Sequence, residues 1–199
     1  MDMDTYTNID INRNTNTRII QQVSILGWRR ECLTHELEEI EKLSSKLASH
    51  NYNIFTGAGT GFMHAANKGA YSINPLYSWG YYLDMFDDEL DTENPVIPEC
   101  NIIHCGTYHI RKKLLLSKPV LVFCPGGMGT LDEFTEALCM KKMGLYNGKI
   151  ICYNKDFWYS FQKGLTQSHH SHEFISTDAI DMVTDDIEDI LDFILSLNM

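Results

Sequence analysis

A doubly wound α/β fold, with a parallel sheet covered by helices on both faces, is the architecture this sequence predicts. Three observations carry that expectation. Short runs that are apolar almost throughout, such as "PVLVFC" at 119–124 and "KIICYN" at 149–154, alternate with longer segments whose apolar residues recur every three or four positions. Continuous apolar runs are what strands buried on both faces require, and that is the habit of parallel sheets. Glycine-rich turns fall where a strand hands over to a helix, as at "CPGGMGT", residues 124–130.

The elements follow in order. Residues 1–17 are rich in Asn, Thr and Asp, with too little apolar content to pack, so they are expected to form a flexible tail ahead of one domain over 18–199. "RIIQQVSILG" reads as the first strand. "LTHELEEIEKLSSKLASH" follows as a helix with Leu33, Leu37, Ile40, Leu43 and Leu47 on one stripe. "YNIFTG" is a short buried strand ending in glycine, and "FMHAANKGAY" has the small residues of a helix packed closely on a sheet. Between Asn74 and Cys100 the alternation lapses. Prolines bound this stretch, six acidic residues crowd "DMFDDELDTE", and irregular structure or a lid is expected there, with Tyr77, Trp79, Tyr81 and Tyr82 able to stack on a base or to pack the loop. The pattern resumes with the strand "CNIIHC", a basic helix, the strand at 119–124 and the helix "LDEFTEAL". It closes with "KIICYN", the helix "DFWYSFQKGLTQ", an edge strand "IDMV" and the helix "DDIEDILDFILSL".

Composition narrows the function. The chain has 199 residues, 44% hydrophobic and 22% charged, ordinary values for a globular protein. Its net charge of −11 repels nucleic acid and anionic membranes alike. A local exception is "HIRKKLLLSK", residues 109–118, where Arg111, Lys112, Lys113 and Lys118 stand with no acidic residue among them. Six cysteines (Cys32, Cys100, Cys105, Cys124, Cys139 and Cys152) lack a Cys-x-x-Cys pair and read as idle thiols of a reducing cytoplasm. No apolar run approaches the roughly 20 residues needed to span a bilayer. His169, His170 and His172 lie close together but without partners at metal-ligand spacing, so a solvated loop is expected rather than a metal site.

The turn at 124–130 concentrates backbone freedom beside a helix start. Glycines let backbone N–H groups approach a ligand without Cβ obstruction. Thr130 is placed to cap the helix, and the assembly suits a phosphate. Neither G-x-x-x-x-G-K-[ST] nor G-x-G-x-x-G is present, which disfavours a nucleoside triphosphate or NAD. Two readings stay open on spacing alone: an anion site, or a turn needed only for tight strand–helix packing. On the helical wheel Leu131, Phe134 and Leu138 form the buried stripe, Glu133 lies at its flank and Glu136 faces away.

Pro125, Gly126, Gly127, Met128, Gly129, Thr130, Leu131, Asp132 and Glu133 together resemble the P-G-G-x-G-T-x-x-E motif of the LOG-type (Lonely Guy) phosphoribohydrolases. "YHIRKK", with Tyr108, His109, Arg111 and Lys112, is similar to that family's Arg-Lys helix; "GAGTGFMHAANKGAY" resembles its glycine-rich turn, and "EFIS" a segment near its end. The likeness covers roughly residues 20–199. Two stretches depart from it: Gly27, Trp28, Arg29 and Arg30 after the first strand, where small residues are usual, and the segment from Asn74 to Cys100.

The resemblance implies a Rossmann-like fold, a homodimer or higher homo-oligomer, and hydrolysis of the N-glycosidic bond of a nucleoside 5′-monophosphate to a free base and ribose 5-phosphate. Gly126, Gly127, Gly129 and Thr130 would grip the phosphate, joined by Gly59 and Thr60. Glu133 would stand by the ribose to stabilise an oxocarbenium-like transition state or orient water. Arg111 would assist departure of the base or hold Glu133 ionised, and Lys112 would lend positive potential. No metal or organic cofactor is required. Met140, Met143, Leu145 and Tyr146 are candidates for a subunit interface. The departures fall where a base would be held, so they bear on substrate identity more than on reaction type. The alternative is a non-catalytic carrier of a phosphorylated ligand such as a nucleotide or the molybdenum cofactor.

Overall fold

The computed structural model describes residues 21–29, 34–84, 94–166 and 177–197; the expected tail, Arg30, Leu33, Cys32, most of the acidic segment, the three clustered histidines and "EFIS" lie outside them. Among the described residues seven strands are formed: β1 (Gln22–Leu26), β2 (Asn53–Thr56), β3 (Ser78–Leu83), β4 (Ile102–Cys105), β5 (Val120–Phe123), β6 (Lys149–Tyr153) and β7 (Met182–Thr184). Six α-helices among the described residues alternate with them: α1 (Thr34–Ser49), α2 (Phe62–Ile73), α3 (Tyr108–Leu116), α4 (Met128–Lys142), α5 (Lys155–Thr166) and α6 (Ile187–Ser196). Every strand pair is parallel, in the order β4-β3-β2-β1-β5-β6-β7. The α/β architecture is therefore the Rossmann-like one, with the order reversing between β1 and β5.

Strand alternation sorts the core into two layers, since successive side chains point to opposite faces. Val120 and Val122 join Val23, Ile25 and Ile54 beneath Ile40, Leu43 and Leu47 of α1, Phe62 and Ala66 of α2, and Ile190 and Ile194 of α6. Leu121 and Phe123 face the other way, onto Leu115 and Leu116 of α3, Phe134 and Ala137 of α4, and Trp158 of α5. Trp158 is fully buried, and its indole N–H donates to the carbonyls of Phe123 and Tyr153, so this large side chain is packed without an orphaned donor.

One stretch differs from expectation. Residues 74–100 contain a full strand, β3, between β2 and β4, where irregular structure or a lid was expected. Trp79 and Tyr81 project from it onto Phe55, with ring centroids 5.6 and 5.8 Å apart, so these rings serve the sheet face and are not on a mobile lid. A buried polar network ties the strand in: Asn67 of α2 donates to the Ser78 hydroxyl and the Trp79 carbonyl and accepts from Thr56 and Asn94. Buried amide groups satisfied in this way hold β3 in one arrangement against α2.

Candidate phosphate-binding cleft

In an open parallel sheet, ligand crevices form beyond the carboxyl ends of the strands where the strand order reverses. A cleft of about 200 Å³ lies at that place here. After β1 come Gly27, Trp28 and Arg29; after β2, Gly57; from α2, Met63; from α3, Tyr108, Arg111 and Leu115; and after β5, Gly127, Gly129, Thr130 and Glu133.

The turn after β5 is built in two halves. Gly126 is buried, and a Cβ on it would lie 2.2 Å from the Thr130 hydroxyl oxygen, so this glycine is demanded by packing. Gly127 and Gly129 are exposed, neither has a positive φ, and a Cβ on either would meet nothing within 4 Å. Packing explains the first glycine and leaves the other two unexplained. Helix α4 starts at Met128 with Gly127 as its N-cap and no capping side chain. Thr130 is therefore not the cap the motif suggested: it sits inside the first turn, 5% exposed, packed against Gly126. The first-turn amides are thus left without a capping side chain at the cleft.

The inward stripe of α4 is Thr130, Glu133, Phe134 and Ala137, related by three- and four-residue steps. Leu131 and Leu138, expected on it, are only partly buried, and Glu133 is 7% exposed rather than flanking. An Arg111 guanidinium nitrogen (Nη1) stands 3.8 Å from Glu133 Oε1. Burial nevertheless pushes the Glu133 carboxyl up to about 7, against the pull of Arg111 and with help from the Asp132 charge. At neutral pH this group is divided between acid and carboxylate, the condition suited to proton exchange.

Arg111 is itself braced. Its Nε donates to the Tyr81 carbonyl at 2.9 Å and its Nη2 to the Gly57 carbonyl at 2.9 Å. A Cβ at Gly57 would fall 1.8 Å from that Nη2, so the bare backbone there is what admits the guanidinium. Lys112 points elsewhere. Its ammonium binds Asp132 at 2.8 Å and Glu136 at 2.6 Å, which spends its charge in a clamp between α3 and α4 and holds its own pKa above the ordinary lysine value through those two partners, against the effect of burial. Asp132 in turn accepts from the Tyr108 hydroxyl at 2.9 Å.

The expected site residues thus divide. Gly127, Gly129, Thr130, Glu133 and Arg111 converge on the cleft; Gly126 supports it from beneath; Lys112, Gly59 and Thr60 do not line it. The Thr60 hydroxyl donates to the Arg29 carbonyl, and Gly59 offers its carbonyl to Asn94. Gly57 and Met63 are added by the fold, and the signal that finds them is position: Gly57 directly follows β2 and Met63 lies in the first turn of the next helix, while Arg29 lies in the stretch after β1 where a base was expected. Tyr146, a candidate for a subunit interface, is buried with its hydroxyl on the Lys118 carbonyl, whereas Met143 and Leu145 are 64% and 72% exposed. Among the described residues no three His, Cys, Asp or Glu side chains come together as a metal site, and no helix is long and apolar enough to cross a membrane.

No curated protein matches this sequence. Solved structures share its fold. The molybdenum cofactor binding protein of the phototrophic bacterium Rippkaea orientalis superposes with a TM-score of 0.66 at 18% identity, over 89% of this chain and 97% of that one. The molybdenum cofactor carrier protein of Chlamydomonas reinhardtii gives a TM-score of 0.61 at 18% identity, over 89% and 98% of the two chains. A second structure of the Chlamydomonas carrier gives 0.60 at 19% identity, over 88% and 98%. At these identities the likeness speaks for the fold, which spans nearly the whole of each chain. The model of the SLOG cluster4 family matches residues 20–179, the span that carries both the P-G-G-x-G-T-x-x-E motif and the Arg-Lys helix, and this chain belongs to that family.

Proposed function

We propose that this protein binds a small phosphorylated ligand, phosphate first, in the cleft between the ends of β1 and β5, and serves as its carrier. The observation that carries the reading is the pair Gly127 and Gly129: no packing and no backbone angle demands a glycine at either, yet both line the cleft beside the N-terminus of α4. A bare backbone there leaves room for an anion to reach N–H groups directly, with Arg29 and Arg111 supplying positive charge in an otherwise acidic chain. The shared fold of the molybdenum cofactor binding and carrier proteins supports carriage, with a nucleotide or the molybdenum cofactor as the kind of cargo.

Glu133 favours a second reading at the same site. A carrier has no evident use for a buried carboxyl that titrates near neutrality, whereas a nucleoside 5′-monophosphate phosphoribohydrolase has one. In that reaction water attacks the anomeric carbon, the C–N bond breaks with its electrons going to the base, and the base leaves protonated, giving ribose 5-phosphate. Glu133 would take the proton of the attacking water or face the developing positive charge, with Arg111 fixing its place.

One experiment separates the two. Purified protein is titrated with nucleoside monophosphates and ribose 5-phosphate by calorimetry, and the same mixtures are assayed for free base. Saturable binding without base release is the outcome expected of a carrier. Base release abolished by Glu133→Gln would establish hydrolysis, and absence of binding by any phosphorylated compound would remove both readings.

A further inference from the structure

The phosphate reading leaves two aromatic side chains of the cleft lining, Trp28 and Tyr108, unassigned. Trp28 stands two residues after β1, and its backbone is held on both sides: its N–H donates to the Pro125 carbonyl at 2.9 Å and its carbonyl accepts from Phe62 N at 3.1 Å. A residue pinned in this way is not a loose loop position. The residue is nevertheless 44% exposed and lines the cleft. The second ring is Tyr108, whose hydroxyl is fixed by Asp132, itself fixed by Lys112. Lys112, whose charge is absorbed away from the cleft, thereby acts on it indirectly by bracing this ring.

Resting on the phosphate reading, we infer that Trp28, with Tyr108 as the second ring, forms a stacking seat for a planar nitrogen heterocycle joined to the phosphate held at Gly127 and Gly129. Trp28 is then the specificity-determining residue of the cleft. Every such heterocycle offers a π face, so stacking favours the class without fixing which member is bound. The hydrogen bond from the Trp28 N–H to the Pro125 carbonyl sets the seat beside the phosphate turn, so a heterocycle on Trp28 and a phosphate at that turn fall within one small ligand.

The test uses the full chain and three probes: AMP, ribose 5-phosphate and adenosine. Of the three tryptophans only Trp28 is strongly exposed, so AMP is expected to quench the solvent-facing indole emission, while ribose 5-phosphate binds without quenching. Trp28→Leu is expected to weaken AMP roughly tenfold and to leave the affinity for ribose 5-phosphate unchanged. Its melting temperature, read alongside, verifies folding, and Trp28→Phe is expected to restore most of the AMP affinity. Equal affinities for AMP and ribose 5-phosphate, both indifferent to Trp28→Leu, would overturn the seat while leaving the phosphate reading intact. If neither phosphorylated probe binds, the phosphate reading fails and takes the seat with it; tight adenosine binding in that case would show a base site without a phosphate site and would equally end the proposal.

Discussion

Gly129→Ala is expected to make the protein more stable and worse at binding, and the two effects come from the same atom. Gly129 lies in the first turn of α4, its φ is not positive, and an added Cβ meets nothing within 4 Å, so the substitution is free of strain in the empty cleft. Replacing glycine by alanine in a helix gains about 1 kcal/mol in the interior and about half that in an end turn, where fewer backbone bonds depend on it. For a chain of this size each kcal/mol moves the melting temperature by about 2–4 °C, so a rise of about 1–2 °C is expected. The same methyl occupies space that a phosphate oxygen needs to reach the backbone. Loss of one hydrogen bond to a charged group is worth about 1.5–3 kcal/mol, or roughly a 10- to 150-fold weaker dissociation constant for ribose 5-phosphate by calorimetry. Gly126→Ala supplies the contrast: its Cβ would fall 2.2 Å from Thr130 Oγ1 in a buried turn, and overpacking of this kind costs about 1–3 kcal/mol. A Gly129→Ala protein that melts lower would refute the packing premise. One that melts higher and binds ribose 5-phosphate with undiminished affinity would show that the glycine serves no anion.

The other perturbations test the charged groups one at a time. The Glu133 carboxyl is raised from its ordinary 4.5 to about 7 by burial, so its protonated form stabilises the fold; that contribution is complete below about pH 4.5 and is lost as pH rises through 7. Glu133→Gln should therefore melt like the parent at pH 4.5 and higher than it at pH 8, by an amount on the order of 1–3 kcal/mol, and equal melting at both pH values would contradict the burial argument. Lys118 is buried over the rings of Phe55 and Tyr81, at 4.2 and 5.3 Å, and burial pulls its ammonium down to about 8. Its folded pKa lies below the unfolded one, so it weakens the fold below pH 8 and the loss is recovered as pH climbs towards 10.5. Lys118→Met should raise stability by about 1–2 kcal/mol at pH 7 and by less at pH 9.5, once a favourable cation–π term is set against desolvation; destabilisation at pH 7 would show that the ring contact dominates. Lys112→Met removes the clamp between α3 and α4 and the brace on Tyr108 but leaves the phosphate turn intact, so it should lower stability by about 1 kcal/mol and change ribose 5-phosphate affinity less than twofold. A large loss of that affinity would place the ammonium at the phosphate after all.

What could be read in advance followed the range of the forces involved. The strand at 120–123 and the helix at 34–49 are specified by their own residues, by apolar continuity in one case and a three- to four-residue stripe in the other, so both are visible locally. The strand β3 is not. "SWGYYL" lacks β-branched residues and has glycine at its centre, a pattern that reads as a breaker. The reason for the glycine lies far along the chain: a Cβ at Gly80 would meet Ile97 at 2.6 Å and Ala58 at 2.9 Å. The feature that spoils the strand signal is thus imposed by tertiary contact, which no window of the sequence displays. The helix wheel sets Glu133 at the flank of the stripe, and the structure turns it further inward for a related reason. A stripe is recognised on the wheel by its apolar residues, so an acid is left off it unless something else compels otherwise.

In α4 the compulsion is geometric. The P-G-G turn starts the helix at Met128, which sets Thr130 against Gly126 and carries Glu133 inward one turn later. Arg111 meets it there only because Gly57, on another strand's turn, has no side chain to keep the guanidinium away. The result violates two rules of stable packing at once: a carboxyl is buried with the Arg111 guanidinium at 3.8 Å rather than in close contact, and Gly129 remains in open space inside a helix where alanine would stabilise. Each violation lowers stability on its own, and neither repairs the other. Both open onto the same small cleft, at the place where the strand order reverses. Departures from local consistency that converge on one concave site are what binding or chemistry would require and what folding alone would remove. For that reason the stability of Gly129→Ala and Glu133→Gln is as informative as their affinity. If both variants proved less stable than the parent, the cleft would be an ordinary seam of the fold, and the case for a ligand in it would lose its physical basis.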